Sequence, residues 1–143
     1  MAEFRDLVER AALEMIDGML RYTSADQVRE DLIPQYVEVD DSFRRDTERG
    51  YDTARAMGIE RGRGLVGGQV PDALQHAMQT PLWETAEANA DKHKAAWLLA
   101  ELVVAYSFNL FEIHIGPTAR DALGIEDTAR RMADSITKQT NLA

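Results

Sequence analysis

Four polar residues interrupt an otherwise apolar stretch in the C-terminal half of the chain, between residues 95 and 115. They offer two carboxylates, an amide and an imidazole, groups that bind small molecules or metal ions inside helical bundles. Glu101 lies in the middle of the stretch, and a buried carboxylate needs hydrogen-bond donors or a cation to offset its lost hydration. The predicted ligand-binding residues on this stretch are Glu101, Asn109, Glu112 and His114, with Tyr106 nearby in the sequence.

Helical periodicity leaves two interpretations of these polar residues. At about 100° per residue, Glu87, Lys94, Glu101 and Glu112 share one narrow arc of a helix, with Asn109 beside it. The simpler interpretation is a solvated stripe on an otherwise packed helix. The alternative is a polar site that faces the bundle interior. Glu101 and Glu112 would be roughly 16 Å apart along the axis, so each would need partners from another helix.

Metal ligands have no favourable spacing in this chain. Its histidines are His76, His93 and His114, and a Glu-x-x-His pair, which di-iron bundles use, does not occur. Glu112 and His114 are two residues apart and would point to nearly opposite sides of a helix. Cysteine is absent, which excludes disulfides, thiolate metal sites and a cysteine nucleophile. We therefore predict no metal site, and the sequence identifies no cofactor.

A glycine-rich segment at residues 58–70 separates the two halves of the chain. Its density of glycines predicts a loop, and the simplest role for it is a connector between helices. Arg61 and Arg63 lie among the glycines, so an alternative role is to bind an anion or a partner through guanidinium and backbone N–H groups. The segment lacks the Lys-Ser/Thr of a phosphate-binding P-loop.

The hydrophobic periodicity predicts helices on both sides of this segment. Residues 2–22 form one amphipathic helix, and residues 35–57 form a second whose apolar stripe is weak at Thr47 and Gly50. Shorter helices are predicted at residues 24–32 and in the segment from 119 onward. The chain is expected to bend at Pro34. A short helix should follow Pro71, and Thr80-Pro81 should begin a long one that continues to His114.

The long helix, which spans roughly 81–114, determines the predicted architecture. A helix that is apolar on most sides either crosses a membrane or forms the centre of a globular fold. Glu101 near its midpoint would cost a few kcal/mol in a bilayer, so we favour the buried helix. The fold class is therefore predicted as all-α, a bundle of about four main helices around this helix, in a single domain of residues 1–143.

Composition narrows the possible partners. The net charge is −9 and the basic residues form no run, which argues against nucleic-acid binding. The first residues lack the pattern of a signal peptide, so a cytoplasmic location without membrane contact is expected. An acidic surface would suit a basic protein partner.

These observations favour assembly over catalysis. The surplus of apolar helix surface predicts a homo-oligomer, in which Trp97, Tyr106, Phe108 and Phe111 could supply an interface core. No catalytic motif such as Gly-x-Ser-x-Gly is present, and the sequence leaves enzymatic activity undecided. The predicted function is a non-catalytic assembly or adaptor subunit. The alternative is a bundle that binds a small molecule or metal, or an enzyme, with its polar site on the helix at 81–114.

Overall fold

A computed structural model describes residues 2–22, 41–116 and 132–133 of the chain. These residues form six helices and no strand. The helices are α1 (Ala2–Tyr22), α2 (Asp41–Ala56), α3 (Ile59–Gly67), α4 (Val70–Met78), α5 (Pro81–Glu87) and α6 (Lys92–His114). The predicted all-α fold is confirmed. The expected helix at 24–32, the bend at Pro34 and most of the segment from 119 onward lie outside the described residues.

Helix α6 is the central element, and it contacts all five other helices. Its apolar residues fill the core on several sides, with Leu99, Val103 and Phe108 fully buried. By length and composition α6 could also cross a membrane, with a mean hydropathy of 1.4 in its most apolar window, but 67% of that window is buried inside the protein. The expected central helix is therefore confirmed.

The long helix is shorter than predicted at its N-terminal end. The sequence predicted one helix over 81–114, but α5 ends at Glu87 and α6 begins at Lys92. The Asp91 side chain accepts a hydrogen bond from the backbone N–H of Lys94, and Asn89 Oδ1 accepts one from the backbone N–H of Asp91. These short polar side chains cap the start of a new helix. The helix predicted over 81–114 is therefore interrupted between α5 and α6.

The glycine-rich segment is a helix, so the predicted loop at 58–70 is wrong. Gly58 has a φ of +99° and forms the sharp turn between α2 and α3, a backbone conformation that glycine adopts without steric cost. Gly62 packs so close to α2 that a Cβ on it would lie 2.3 Å from the carbonyl oxygen of Ala54. Tertiary packing of a backbone without side chains thus overrides the low helix propensity of glycine.

Helix α2 packs on α6 through small and hydroxyl-bearing residues. Thr47 and Gly50, which were placed on the apolar stripe although they offer little area to bury, are both buried, together with Thr53 and Ala54. The residues recur at helical spacing and form a flat face, which brings the two helix backbones together. Tyr51 lies beside them, packs its ring on Phe108 at 5.6 Å between centroids, and donates a hydrogen bond to the carbonyl oxygen of Met19.

Helix α1 covers a second side of α6 and follows the predicted bounds of 2–22. Phe4, Val8, Ile16 and Leu20 are buried as its periodicity predicted. Phe4 also meets Trp83 of α5 edge to face, with 5.4 Å between the ring centroids. Leu13, which was expected to widen the apolar face of α1, is 40% exposed. It lies beyond the edge of the surface that α1 packs on α6.

Candidate functional site

Two of the predicted ligand-binding residues lie buried between α2 and α6. Glu112 Oε2 accepts a hydrogen bond of 3.1 Å from Thr53 Oγ1, and both side chains are buried. Asn109 Nδ2 donates to the carbonyl oxygen of Phe43 at 3.4 Å. Thr47 Oγ1 donates to the same carbonyl oxygen at 2.8 Å. We call these four side chains the α2–α6 polar cluster: Thr47, Thr53, Asn109 and Glu112.

The solvated-stripe interpretation holds for only part of the predicted arc. Lys94 is exposed as that interpretation requires, but Glu112 and Asn109 are buried under α2. Glu101 lies between these extremes: the residue is half-buried, and its Oε2 atom is fully buried. Glu87 belongs to α5, where its Oε2 accepts a hydrogen bond from Trp83 Nε1 at 2.8 Å, so it does not share the helix of the other acids.

Gly116 shapes the C-terminal end of the α2–α6 polar cluster. A Cβ on this residue would lie 2.6 Å from Oε2 of Glu112. The carboxylate therefore fills the space that a larger residue at position 116 would occupy. Glu112 is thus enclosed by Thr53 on one helix and by the chain that follows its own helix.

The other residues predicted on α6 face different surroundings. Tyr106 is half-buried, with its ring 5.4 Å from Phe43 and 5.7 Å from His76 between centroids. His114 is exposed at the last residue of α6, whereas Glu112 is buried. The structure therefore brings Asn109 and Glu112 into one cluster but leaves His114 at the surface.

Arg61 and Arg63 lie on helix α3, where the sequence predicted a loop. Both are exposed. Arg63 Nη1 donates to Asp17 Oδ1 of α1 at 3.4 Å, so its guanidinium bridges two helices. Two residues apart on a helix, the two side chains diverge, so they do not form the paired anion-binding site that a loop would allow.

An exposed apolar patch lies on the N-terminal half of α6. Trp97 is 47% exposed and its neighbour Leu98 is 36% exposed, whereas most of the helix is buried. Of the four aromatic residues that the sequence assigned to an interface, Phe108 and Phe111 are fully buried within this chain. Their interface role is therefore wrong, because α6 is covered by its own chain there. We call Trp97 and Leu98 the α6 apolar patch.

Sequence reasoning missed the partners of the buried polar residues. Thr47 and Thr53 were not identified as candidates, although they supply hydroxyl groups to the α2–α6 polar cluster. The signal that could have found them is the run of small residues in α2 at helical spacing, which is typical of two helices in close contact. Leu98 was missed because the sequence does not show which side of α6 lacks a neighbour.

The described residues contain no group of three or more His, Cys, Asp or Glu side chains arranged to hold a metal ion. Comparison of the chain with protein-family models, with curated proteins and with solved structures found no match.

Proposed function

We propose that this protein is a non-catalytic helical assembly subunit that self-associates through the α6 apolar patch. The observation that carries the proposal is the exposure of Trp97 and Leu98, 47% and 36%, on the central helix of the fold. A tryptophan half in water leaves a large apolar area unburied, and tryptophan is enriched at the energetic centres of protein interfaces.

The position of the patch relative to α2 supports this proposal. At about 100° per residue, Leu98, Ala105 and Glu112 lie on the same side of α6. Ala105 and Glu112 are buried, and the C-terminal half of this side packs on α2 through Asn109 and Glu112. The same side remains exposed at Leu98. A second subunit that covers the patch would continue the packing that α2 begins.

Charged residues at the margin of the α6 apolar patch would favour a specific contact over non-specific association. Glu101 follows Trp97 by one helical turn and is half-buried, while His93 and Lys94 precede it and are exposed. An apolar centre with polar residues at its margin is the usual composition of a specific interface. In this proposal the protein acts in the cytoplasm, and its acidic surface recruits a basic protein partner.

Sedimentation velocity of the full chain tests the proposal across micromolar concentrations. The wild type is expected to sediment as an oligomer. Trp97→Gln and Leu98→Gln are expected to shift it towards the monomer, because each places an amide in the centre of the contact. The control is Met78→Gln on α4, an apolar residue of similar exposure, 39%, outside the patch. A monomeric wild type at these concentrations would rule out the proposal.

The alternative function, a bundle that binds a small molecule or metal, depends on the polar residues of α6. The hydrogen bonds of Asn109 and Glu112 to α2 join two helices, which is a structural role. A native mass spectrum of protein purified without added ligand tests both functions in one measurement, because it reports the subunit number and any retained ligand. A retained small molecule that Glu112→Gln abolishes would favour the alternative.

A further inference from the structure

A shallow groove runs between α1 and α3, on a different pair of helices from the α2–α6 polar cluster. It has a volume of about 550 Å³ and is open to solvent. A smaller depression of about 290 Å³ adjoins it along α1 and shares Arg10 and Leu13 with it. The groove is lined by Arg10, Leu13, Glu14, Asp17, Arg63, Gly64 and Gly67.

The floor of the groove combines an exposed leucine with bare helix backbone. Leu13 is 40% exposed. A Cβ on Gly67 would lie 3.3 Å from Leu13 Cδ2, and a Cβ on Gly64 would meet no heavy atom within 4 Å. The groove therefore has room beside Leu13 for an apolar side chain from another molecule, with contact to the α3 backbone.

At one end of the groove the Asp17 carboxylate is paired within the chain with two guanidinium groups. Asp17 Oδ1 accepts hydrogen bonds from Arg21 Nε at 3.0 Å and from Arg63 Nη1 at 3.4 Å. The hydrogen bond to Asp17, together with the attraction of its charge, raises the pKa of Arg21 above its ordinary value. Asp17 is therefore engaged within the subunit and is not the group that recruits a partner.

Arg10 and Glu14 differ from Asp17. Both are exposed, and neither forms an ion pair within the described part of the chain. They are one helical turn apart on the same edge of α1, with the basic residue first, the less favourable order for an ion pair within a helix. The edge therefore presents a positive and a negative charge at a fixed spacing.

We propose that this groove is a self-complementary interface in which α1 packs antiparallel to α1 of a second copy. A two-fold axis near the middle of α1 places Arg10 opposite Glu14 of the second copy, and Glu14 opposite Arg10 of the second copy. Leu13 then packs above the glycine backbone of the facing α3. The occupant is a second copy because a single surface supplies both signs of charge in the arrangement that an isologous contact requires.

This interface is separate from the α6 apolar patch and can be tested without it. The test is performed in protein that carries Trp97→Gln, so that association through the patch is weakened. Sedimentation equilibrium then measures association for the parent, for Arg10→Glu, for Glu14→Arg and for the double variant with both changes. Circular dichroism and thermal unfolding establish that each variant is folded, which is expected because both side chains are exposed.

Each single reversal places like charges opposite each other across the two-fold axis, so the dissociation constant is expected to rise at least about tenfold. The double reversal exchanges the signs and is expected to restore the parental value. Arg5→Glu, another reversal on α1 outside the lining of the groove, is the matched control and should leave the constant unchanged.

Two outcomes would overturn this interface. One is a parent that remains monomeric at hundreds of micromolar. The other is association that the single reversals do not weaken or that the double reversal does not restore. A groove that binds a basic peptide and not a second copy would produce the first result, a monomeric parent. Because Trp97 and Leu98 are not in the groove, failure here leaves the α6 apolar patch proposal unaffected, and the reverse is also true.

Discussion

The backbone of α2 at Gly50 lies directly against the carbonyl oxygen of Phe108 on α6, where a Cβ on Gly50 would be only 2.1 Å from that oxygen. The clash would be with backbone atoms, which cannot move aside as the end of a flexible side chain can. This contact determines how close α2 and α6 approach each other, and it therefore positions the α2–α6 polar cluster.

Gly50→Ala is expected to destabilise the fold by about 1–3 kcal/mol or more, because the two helices must separate to admit the methyl group. Urea unfolding followed by circular dichroism measures the change. Gly18→Ala on α1 is the matched control, since a Cβ there meets no heavy atom within 4 Å. The control should be stabilised by about 0.4–1 kcal/mol through the loss of unfolded-state entropy. Equal effects of the two substitutions would contradict the close crossing.

Thr53→Val is expected to destabilise the protein by about 1–3 kcal/mol, because it removes the hydroxyl donor from the buried carboxylate of Glu112 while keeping the volume. Thr53→Ser is the control, since it keeps the donor. The measurement is again the free energy of unfolding. If Thr53→Val is as stable as the wild type, this hydrogen bond does not contribute to holding α2 on α6.

Asp91→Ala is expected to cost about 0.5–2 kcal/mol and to increase hydrogen exchange in the first turn of α6, because the cap on the backbone N–H of Lys94 is lost. Asp91→Asn retains an acceptor oxygen and should lose much less. Exchange measured by mass spectrometry on peptides that cover residues 88–98 reports the effect. Unchanged exchange in Asp91→Ala would mean that the break before α6 does not depend on this cap.

The two tryptophans should respond differently to a soluble quencher. Trp83 is 5% exposed and Trp97 is 47% exposed. In the Trp83→Phe variant, fluorescence comes from Trp97 alone, so acrylamide quenching should be strong in dilute protein and should weaken as concentration rises and the α6 apolar patch is covered. In Trp97→Phe, quenching of Trp83 should be weak at every concentration. Quenching of Trp97 that is independent of concentration would contradict self-association through the patch.

The sequence predicted the elements more accurately than their contacts. The bounds of α1 were predicted as 2–22, and the helix that follows Pro71 and the start at Thr80-Pro81 were also predicted. These signals are local, since hydrophobic periodicity and the conformational limits of proline act within a few residues. The single-domain organisation, the homo-oligomer and the cytoplasmic location stay predictions.

Two of the errors, at residues 58–70 and in α2, share one physical cause, which is packing between segments distant in sequence. The glycines of residues 58–70 predicted a loop because glycine lacks helix propensity, but Gly62 is helical where it packs on Ala54 of α2. Thr47 and Gly50 were predicted to weaken the apolar stripe because they bury little surface, yet small residues are what allow α2 and α6 to approach. The break at 88–91 was missed although Asn89 and Asp91 are capping residues.

The candidate site likewise has one part that the sequence predicted and another that only the tertiary structure reveals. The sequence alone determined that α6 would be the central, mostly buried helix, because an apolar face on most of a helix must be shielded from water. Only the tertiary structure decided that α2 covers Asn109 and Glu112 but leaves Trp97 and Leu98 in solvent. The register in which two helices meet depends on the shapes of both surfaces, and one helix's own sequence does not contain that information.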